Sequence, residues 1–413
     1  MNARTRRITS PPTGARDAIA RHPWLFLVAA SVVTLVVQLP WRHATSWHYF
    51  ADAAHLLFSP PVAGPEGGLD VFATHPEFQF GPLAVLAAAP FAYLPPSVGI
   101  IAVMLAGSAL GVVAVAAIAD MTRRVAPDER RATFRRRLTF GALPLVLVWS
   151  DISARTAHLD DAIALTATAC ALSATSRRRP WLATAVLAIA AAAKPWGIVF
   201  APIALAVPGP RRNLRLPMIA TFVSLTWLPF VIDEPSTLRA AGSFKIANAA
   251  SSALRVLGAT DALTPGWVRP AQIIGGLLIA SLLVRRGQWH SVVMAGLAFR
   301  LMLDPGVHHY YAAGLTLGVL VWELNVRQAH LPVATVTTAI LLEATSSAIQ
   351  PASLAGALRL ALTTSLIIAA FVKPIRPGRN SRKQQDGTNE HGIVAGPVTS
   401  SSQAALRLAA RGF

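Results

Sequence analysis

Residues 97–137 read SVGIIAVMLAGSALGVVAVAAIADMTRRVAPDERRATFRRR. The stretch from Ser97 to Ala119 carries no charge and exceeds the roughly 20 apolar residues that a membrane-crossing helix needs. The Arg123–Arg137 cluster follows it at once. Lys and Arg mark cytoplasmic loops, so this segment runs inward and ends on the cytoplasmic side. That direction settles the segment before it. Gly81–Tyr93 is apolar but only 13 residues long, bounded by Gly81-Pro82 and Pro95-Pro96. If it crossed, the arginine cluster would face outward. It is therefore expected to be a juxtamembrane or re-entrant helix on the outer face.

Composition agrees with a membrane solvent. The chain has 413 residues, 54% hydrophobic and 14% charged, where a soluble protein carries about 25% charged residues. Its mean hydropathy is +0.49. The net charge of +18 is gathered in Arg4–Arg21, Arg123–Arg137, Arg177–Arg179, Arg211–Arg215, Arg285–Arg286 and Lys373–Lys383. Between these clusters the chain is almost free of charge. The charge thus reads as topology and not as a nucleic-acid surface. The single Cys170 allows no intramolecular disulfide and reads as a small core residue. High Ala, Arg and Pro usage points to a GC-rich bacterial genome.

Alternating the remaining runs predicts an all-α, polytopic membrane helix bundle with about twelve spans and both termini in the cytoplasm, in a bacterial plasma membrane. Residues 1–21 form a basic cytoplasmic N-terminus, and the first span, Pro23 to about Pro40, is retained and not a cleaved signal peptide. Residues 22–373 hold the membrane domain, with a first outer loop at 41–96 and a second at 233–267. Residues 374–413 read as a disordered cytoplasmic tail. Trp181–Ala193 and Trp196–Val207 are each too short to cross unaided. They meet at Lys194-Pro195, which predicts a helix pair whose junction lies in a protein-lined or wet pocket.

The first outer loop holds Asp52, Glu66, Asp70, Glu77, His43, His48, His55 and His75, and a long loop of this kind is more often functional than passive. With the topology above, other ionisable residues fall at the same face: Arg155, His158, Asp160 and Asp161 in SARTAHLDDAIAL, Lys194 at its junction, and Arg300, Asp304, His308 and His309 in FRLMLDPGVHHYYAAGL. A charge at membrane depth costs roughly 2.5–3.5 kcal/mol on insertion scales, which makes such residues functional candidates. Plainer roles compete. Asp160 and Asp161 suit a helix N-terminus, Lys194 can snorkel, and the histidines can belong to an interfacial belt with Tyr310 and Tyr311. Arg300 needs a partner, and Asp304 lies one turn away. Glu343 is paired in this reading with Arg359. No Walker A loop, GxGxxG, CxxC or HExxH is present, so a soluble nucleotide has no visible site. A divalent metal is possible, but no ligand spacing indicates one; the cofactor is left unknown.

Three passages resemble the polytopic GT-C glycosyltransferases that use polyprenyl-phosphate sugars, and most closely the actinobacterial polyprenol-phosphate-mannose-dependent alpha-mannosyltransferases, the group that includes the enzyme elongating phosphatidylinositol mannosides. The first is SWHYFADAAHLLFSPP at 46–61 with HPEFQFGPLAVLAAAPFAYLPP at 75–96. The second is HLDDAIAL at 158–165 with AIAAAAKPWGIVFAPIAL at 188–205. The third is DPGVHHYYAAGL at 304–315. The resemblance implies transfer of a sugar, mannose first and arabinofuranose as competitor, from a polyprenyl-phosphate donor to a glycolipid or glycan acceptor on the outer face, with inversion. The phosphate is already a stable anion, so one base suffices and no general acid is needed, unlike the carboxylate pair of glycosidases. Asp52 is the expected base, with Asp70 in reserve. His308 or His309 would orient donor or acceptor. Arg300, Lys194 and Arg155 would hold the donor phosphate, supported by His158, Asp160, Asp161, Asp304 and Tyr49. The sequence departs from the family at one point: Ser46 stands where the first loop's acid is expected. A transporter or flippase of a lipid-linked or polar solute, and a catalytically inactive relative, are the alternative readings.

Overall fold

Helix α1 (Pro23–Gln38) and helix α2 (Trp47–Phe58) come first. Two short turns follow at Gly68–Asp70 and Val71–Thr74. Then come α3 (Pro82–Ala92), α4 (Pro96–Val125), α5 (Arg131–Ser150), α6 (Leu159–Ser176) and α7 (Pro180–Ala193). A 3-10 helix at Pro195–Leu205 precedes α8 (Arg215–Asp233), α9 (Val268–Arg285), α10 (Val292–Met302), α11 (Tyr311–Trp322), α12 (Val333–Ser347) and α13 (Ala352–Phe371). The computed structural model describes residues 22–38, 44–58, 67–125, 131–327 and 331–372. The N-terminus 1–21, the tail 373–413, and the loop pieces holding His43 and Glu66 lie outside the described residues. No strand occurs among the described residues, only an isolated bridge between Ala247 and Leu263.

Among the described residues, four helical segments are long and apolar enough to cross a membrane on their own: Pro96–Val125, Arg212–Asp233, Val268–Arg285 and Ala352–Phe371. The expected count of about twelve spans is not reached by this criterion. Several apolar runs give shorter helices, among them Pro23–Gln38, Pro180–Ala193 and Val333–Ser347. Others are divided by irregular turns. A π turn at Asp151–Arg155 continues α5, and another at Glu323–Arg327 continues α11. Pro82–Ala92 spans 11 residues, about 16 Å of helix, well short of a crossing.

Small residues set how closely the helices approach. A Cβ on Gly111 of α4 would lie 2.6 Å from Trp149 Nε1 of α5, and that Nε1–H donates to the carbonyl of Gly107 at 2.9 Å. The Gly107/Gly111 pair is a small-xxx-small face of the kind that lets backbones meet in lipid. Helix α6, rich in Ala, Ser and Thr, is buried along nearly its whole length and packs against α4 and α7. Helix α7 and the following 3-10 helix are 14 and 11 residues long, about 21–22 Å each, short of the roughly 30 Å hydrocarbon core. Lys194-Pro195 joins them among other helices, as the sequence suggests.

Two backbone dockings then build the site. Gly81 N–H donates to the carbonyl of Ala193 at 2.9 Å, which pins the start of α3 to the Lys194 junction. Thr45 and Ser46 N–H donate to the carbonyls of Arg155 and Thr156 at 3.4 and 3.0 Å, which pins the start of α2 to the turn after α5.

Candidate functional site

These dockings bring residues far apart in sequence around two adjoining cavities of about 460 and 580 Å³. Phe80, Lys194, Phe244, Ile246, His308 and Tyr310 line both. The first cavity is apolar and aromatic, with Phe72, Trp196 and Trp227 in its wall, but it also exposes Arg269 and Arg300. The second is the more polar of the two, with Ser46, Tyr49, Glu77, Arg155, His158 and His309.

At the polar cavity, Lys194 forms a buried ion pair with Asp160 and stands 3.7 Å from Asp161 Oδ2. Both aspartates begin α6 and are buried. Trp196 Nε1–H donates to Asp161 Oδ1 at 3.1 Å. His158, just before α6, lies with Nδ1 3.4 Å from Asp160 Oδ1 and 3.7 Å from Asp161 Oδ2. Its other nitrogen, Nε2, is 2.9 Å from Ser46 Oγ. The ligand atoms of His158, Asp160 and Asp161 lie within 4.8 Å of one another, a grouping able to hold a metal ion. The Lys194 ammonium already touches both carboxylates, so a divalent ion would have to displace it.

Arg155 reaches Asp151 at 3.4 Å and stays partly exposed. His309 Nδ1 meets Glu343 Oε2 at 2.7 Å, so the pairing of Glu343 with Arg359 is corrected. Arg359 Nη2 donates instead to Ser346 Oγ and the carbonyl of Leu342. Arg359 thus contacts α12 at Leu342 and Ser346, while His309 takes Glu343 of the same helix.

At the apolar cavity, Arg300 Nη2 lies 3.7 Å from Asp304 Oδ2, with the Trp196 and Tyr311 rings 4.8 and 5.0 Å from its guanidinium. Arg269 Nη1 approaches the same Asp304 oxygen at 3.9 Å. Two guanidiniums thus share one carboxylate at an aromatic wall, and Asp161 acts on Arg300 as well. Asp304 also accepts from the N–H of Gly306 at 2.9 Å and the hydroxyl of Tyr311 at 3.4 Å. His308 stacks on Tyr310, and burial holds its imidazole below the ordinary range, Asp304 opposing.

Two expected residues stand apart. Asp52 is exposed on α2 and lines neither cavity. Asp70 lines neither as well; partial burial, then the charges of Asp233 and Glu234, push its carboxyl above the usual range. The sequence signal that placed Asp52 was proximity to Ser46, but six positions along a helix turn a side chain to another face. Arg269 went unnoticed as a loop boundary, although it is the lone cation at that end of α9.

Residues 78–303, more than half of the chain, match glycosyltransferase family 87. The chain belongs to that family. It is a glycosyltransferase, and no curated protein and no solved structure matches it. Within the family-87 match fall Arg155, His158, Asp160, Asp161, Lys194, Arg269 and Arg300. Ser46, Tyr49, Asp52, Asp70, Asp304, His308 and His309 lie outside it and reach the site, where they do, through the fold.

Proposed function

We propose that this family-87 glycosyltransferase moves a sugar, mannose first, from a polyprenyl-phosphate donor to a lipid-linked or envelope-glycan acceptor at the outer face of a bacterial plasma membrane. The shared carboxylate of Arg269 and Arg300 carries the reading. An aromatic-lined cavity that exposes two guanidiniums sharing one carboxylate suits a molecule that is apolar along its length and anionic at one end. The lipid chain would occupy the apolar cavity, its phosphate facing Arg300 and Arg269 with Lys194 and Arg155 on the sugar side. The sugar would lie at the seam by His308 and Tyr310, and the acceptor in the polar cavity near Tyr49, His309 and Arg155. The phosphate leaves as a stable anion, so the protein must position, neutralise charge and accept one proton.

The test supplies radiolabelled polyprenyl-phosphate mannose to membranes with and without the chain, with a polyprenyl-phosphate arabinofuranose arm. Label entering a larger glycolipid or glycan only with the intact chain is expected. Transfer from arabinofuranose alone would change the sugar. Transfer from neither donor would overturn the lipid-phosphate reading.

A further inference from the structure

We propose that Ser46 and His158 form a proton relay that deprotonates the acceptor hydroxyl, with His158 Nε2 as its terminus; this assignment rests on the transfer reaction proposed above. Ser46 and His158 are 112 positions apart, yet the backbone hydrogen bonds from Thr45 and Ser46 to the carbonyls of Arg155 and Thr156 hold them together.

The surroundings of the ring assign its tautomer. Nδ1 faces Asp160 Oδ1 at 3.4 Å and Asp161 Oδ2 at 3.7 Å. Ionised carboxylates only accept, so the ring proton belongs on Nδ1. Nε2 then presents a lone pair to Ser46 Oγ, and the serine hydroxyl donates to it. Tyr310 lies against the ring at 4.0 Å between centroids, and the Phe50 ring meets it edge-on at 6.4 Å. The ring is flanked by Tyr310 and Phe50 and hydrogen-bonded at Nε2, while Nδ1 faces the two carboxylates without a hydrogen bond of its own. This is the logic of a hydroxyl, an imidazole and a carboxylate in series, recognised by geometry and not by sequence order.

Asp160 and Asp161 bring two negative charges beside the ring, which favour a proton arriving on His158, while Lys194 pairs with both and Arg300 acts on Asp161. Of the other groups facing the ring, His308 and Arg155 line the same cavity without contacting it. The acids elsewhere are poorly placed: Glu77 is engaged by His75 at 2.9 Å, and Asp52 and Asp70 line neither cavity.

The step balances as follows. The acceptor oxygen bonds to the anomeric carbon of the sugar. The bond from that carbon to the phosphate oxygen breaks, and its electron pair leaves with the phosphate. The acceptor's proton passes to Ser46 Oγ as the serine's own proton passes to His158 Nε2, and the imidazolium later returns a proton to water.

A serine activated in this way attacks fluorophosphonates, forming a phosphorus–oxygen bond as fluoride leaves, and that readout does not depend on any sugar donor. The full-length chain in detergent is treated with a fluorophosphonate, and the adduct is located by peptide mass. The expected result is an adduct on Ser46, lost in Ser46→Ala and slowed about 10²-fold or more in His158→Gln, a variant whose amide can still hydrogen-bond the serine. Sugar transfer by His158→Gly should be lost and then restored in part by added imidazole, which a merely structural histidine would not allow. No adduct on Ser46, or one formed equally fast in His158→Gln, overturns the relay. So does transfer that survives His158→Gln unchanged. A wild-type chain that forms the His158-dependent adduct but moves no sugar supports the relay and sinks the lipid-phosphate donor instead.

Discussion

Arg300 lies between the Trp196 and Tyr311 rings with its guanidinium turned to Asp304. Removing it leaves Asp304 matched by Arg269 alone, and the apolar cavity loses one of its two guanidiniums. A charge-assisted contact contributes about 1.5–3 kcal/mol, so Arg300→Gln should raise the KM for a polyprenyl-phosphate donor about 10–100-fold. Arg300→Lys should recover only part of this, because an ammonium keeps the charge but loses the planar fork that stacks on two rings. Steady-state kinetics with varied donor would check it. A KM that does not move would place the phosphate away from this wall. The same measurement on Arg269→Gln asks whether the two cations act together, since residues sharing a partner couple and their effects do not add.

Among the elements, the contact of α3 with the end of α7 decides whether the cavities exist at all. A Cβ on Gly81 would lie 1.8 Å from the carbonyl oxygen of Ala192. The backbone there has φ −80°, open to any residue, so the demand for glycine is one of space and not of conformation. The obstructing atom is backbone and cannot swing aside. Gly81→Ala should therefore cost about 2–4 kcal/mol and break the hydrogen bond to Ala193. Thermal unfolding in detergent would show a lowered midpoint, and fluorophosphonate or donor binding would weaken with it. A variant as stable and active as wild type would show that this docking is dispensable.

Across the whole molecule, α6 and α7 connect the site to a second polar cavity about 25 Å away, lined by Arg124, Arg178, Arg215 and His290. Burial pushes the His290 imidazole down from 6.5 to about 4, and its Nε2 has no hydrogen-bond partner. The sign of the consequence follows. Between pH 6.5 and about 4 the unfolded chain takes up this proton and the folded chain does not, so stability present above pH 6.5 is lost progressively as pH falls toward 4. The unfolding midpoint should drop by several degrees from pH 7 to pH 5. His290→Asn, which cannot charge, should flatten that part of the curve. An identical slope in wild type and variant would assign the pH dependence to other groups.

Length and charge spacing by themselves determined that the chain is an all-α membrane protein. Ser97–Ala119 falls inside α4, the short Gly81–Tyr93 run becomes α3, and the break at Lys194-Pro195 separates two short helices. These are local facts: a run either has or lacks the residues to cross, and the Lys194-Pro195 step ends one short helix and begins the next. The pairing of Arg300 with Asp304 was also legible, because the two lie four residues apart at the end of one helix. Only the tertiary structure decided the rest. It sets Ser46 against His158, gives Glu343 to His309 in place of Arg359, adds Arg269 to Asp304, and turns Asp52 away. Apolar attraction has no direction, so a hydrophobic helix can face its neighbours in many rotations with similar burial. Which polar side chains meet is chosen by close packing at positions such as Gly81 and Gly111, where one missing Cβ admits one arrangement and excludes the others.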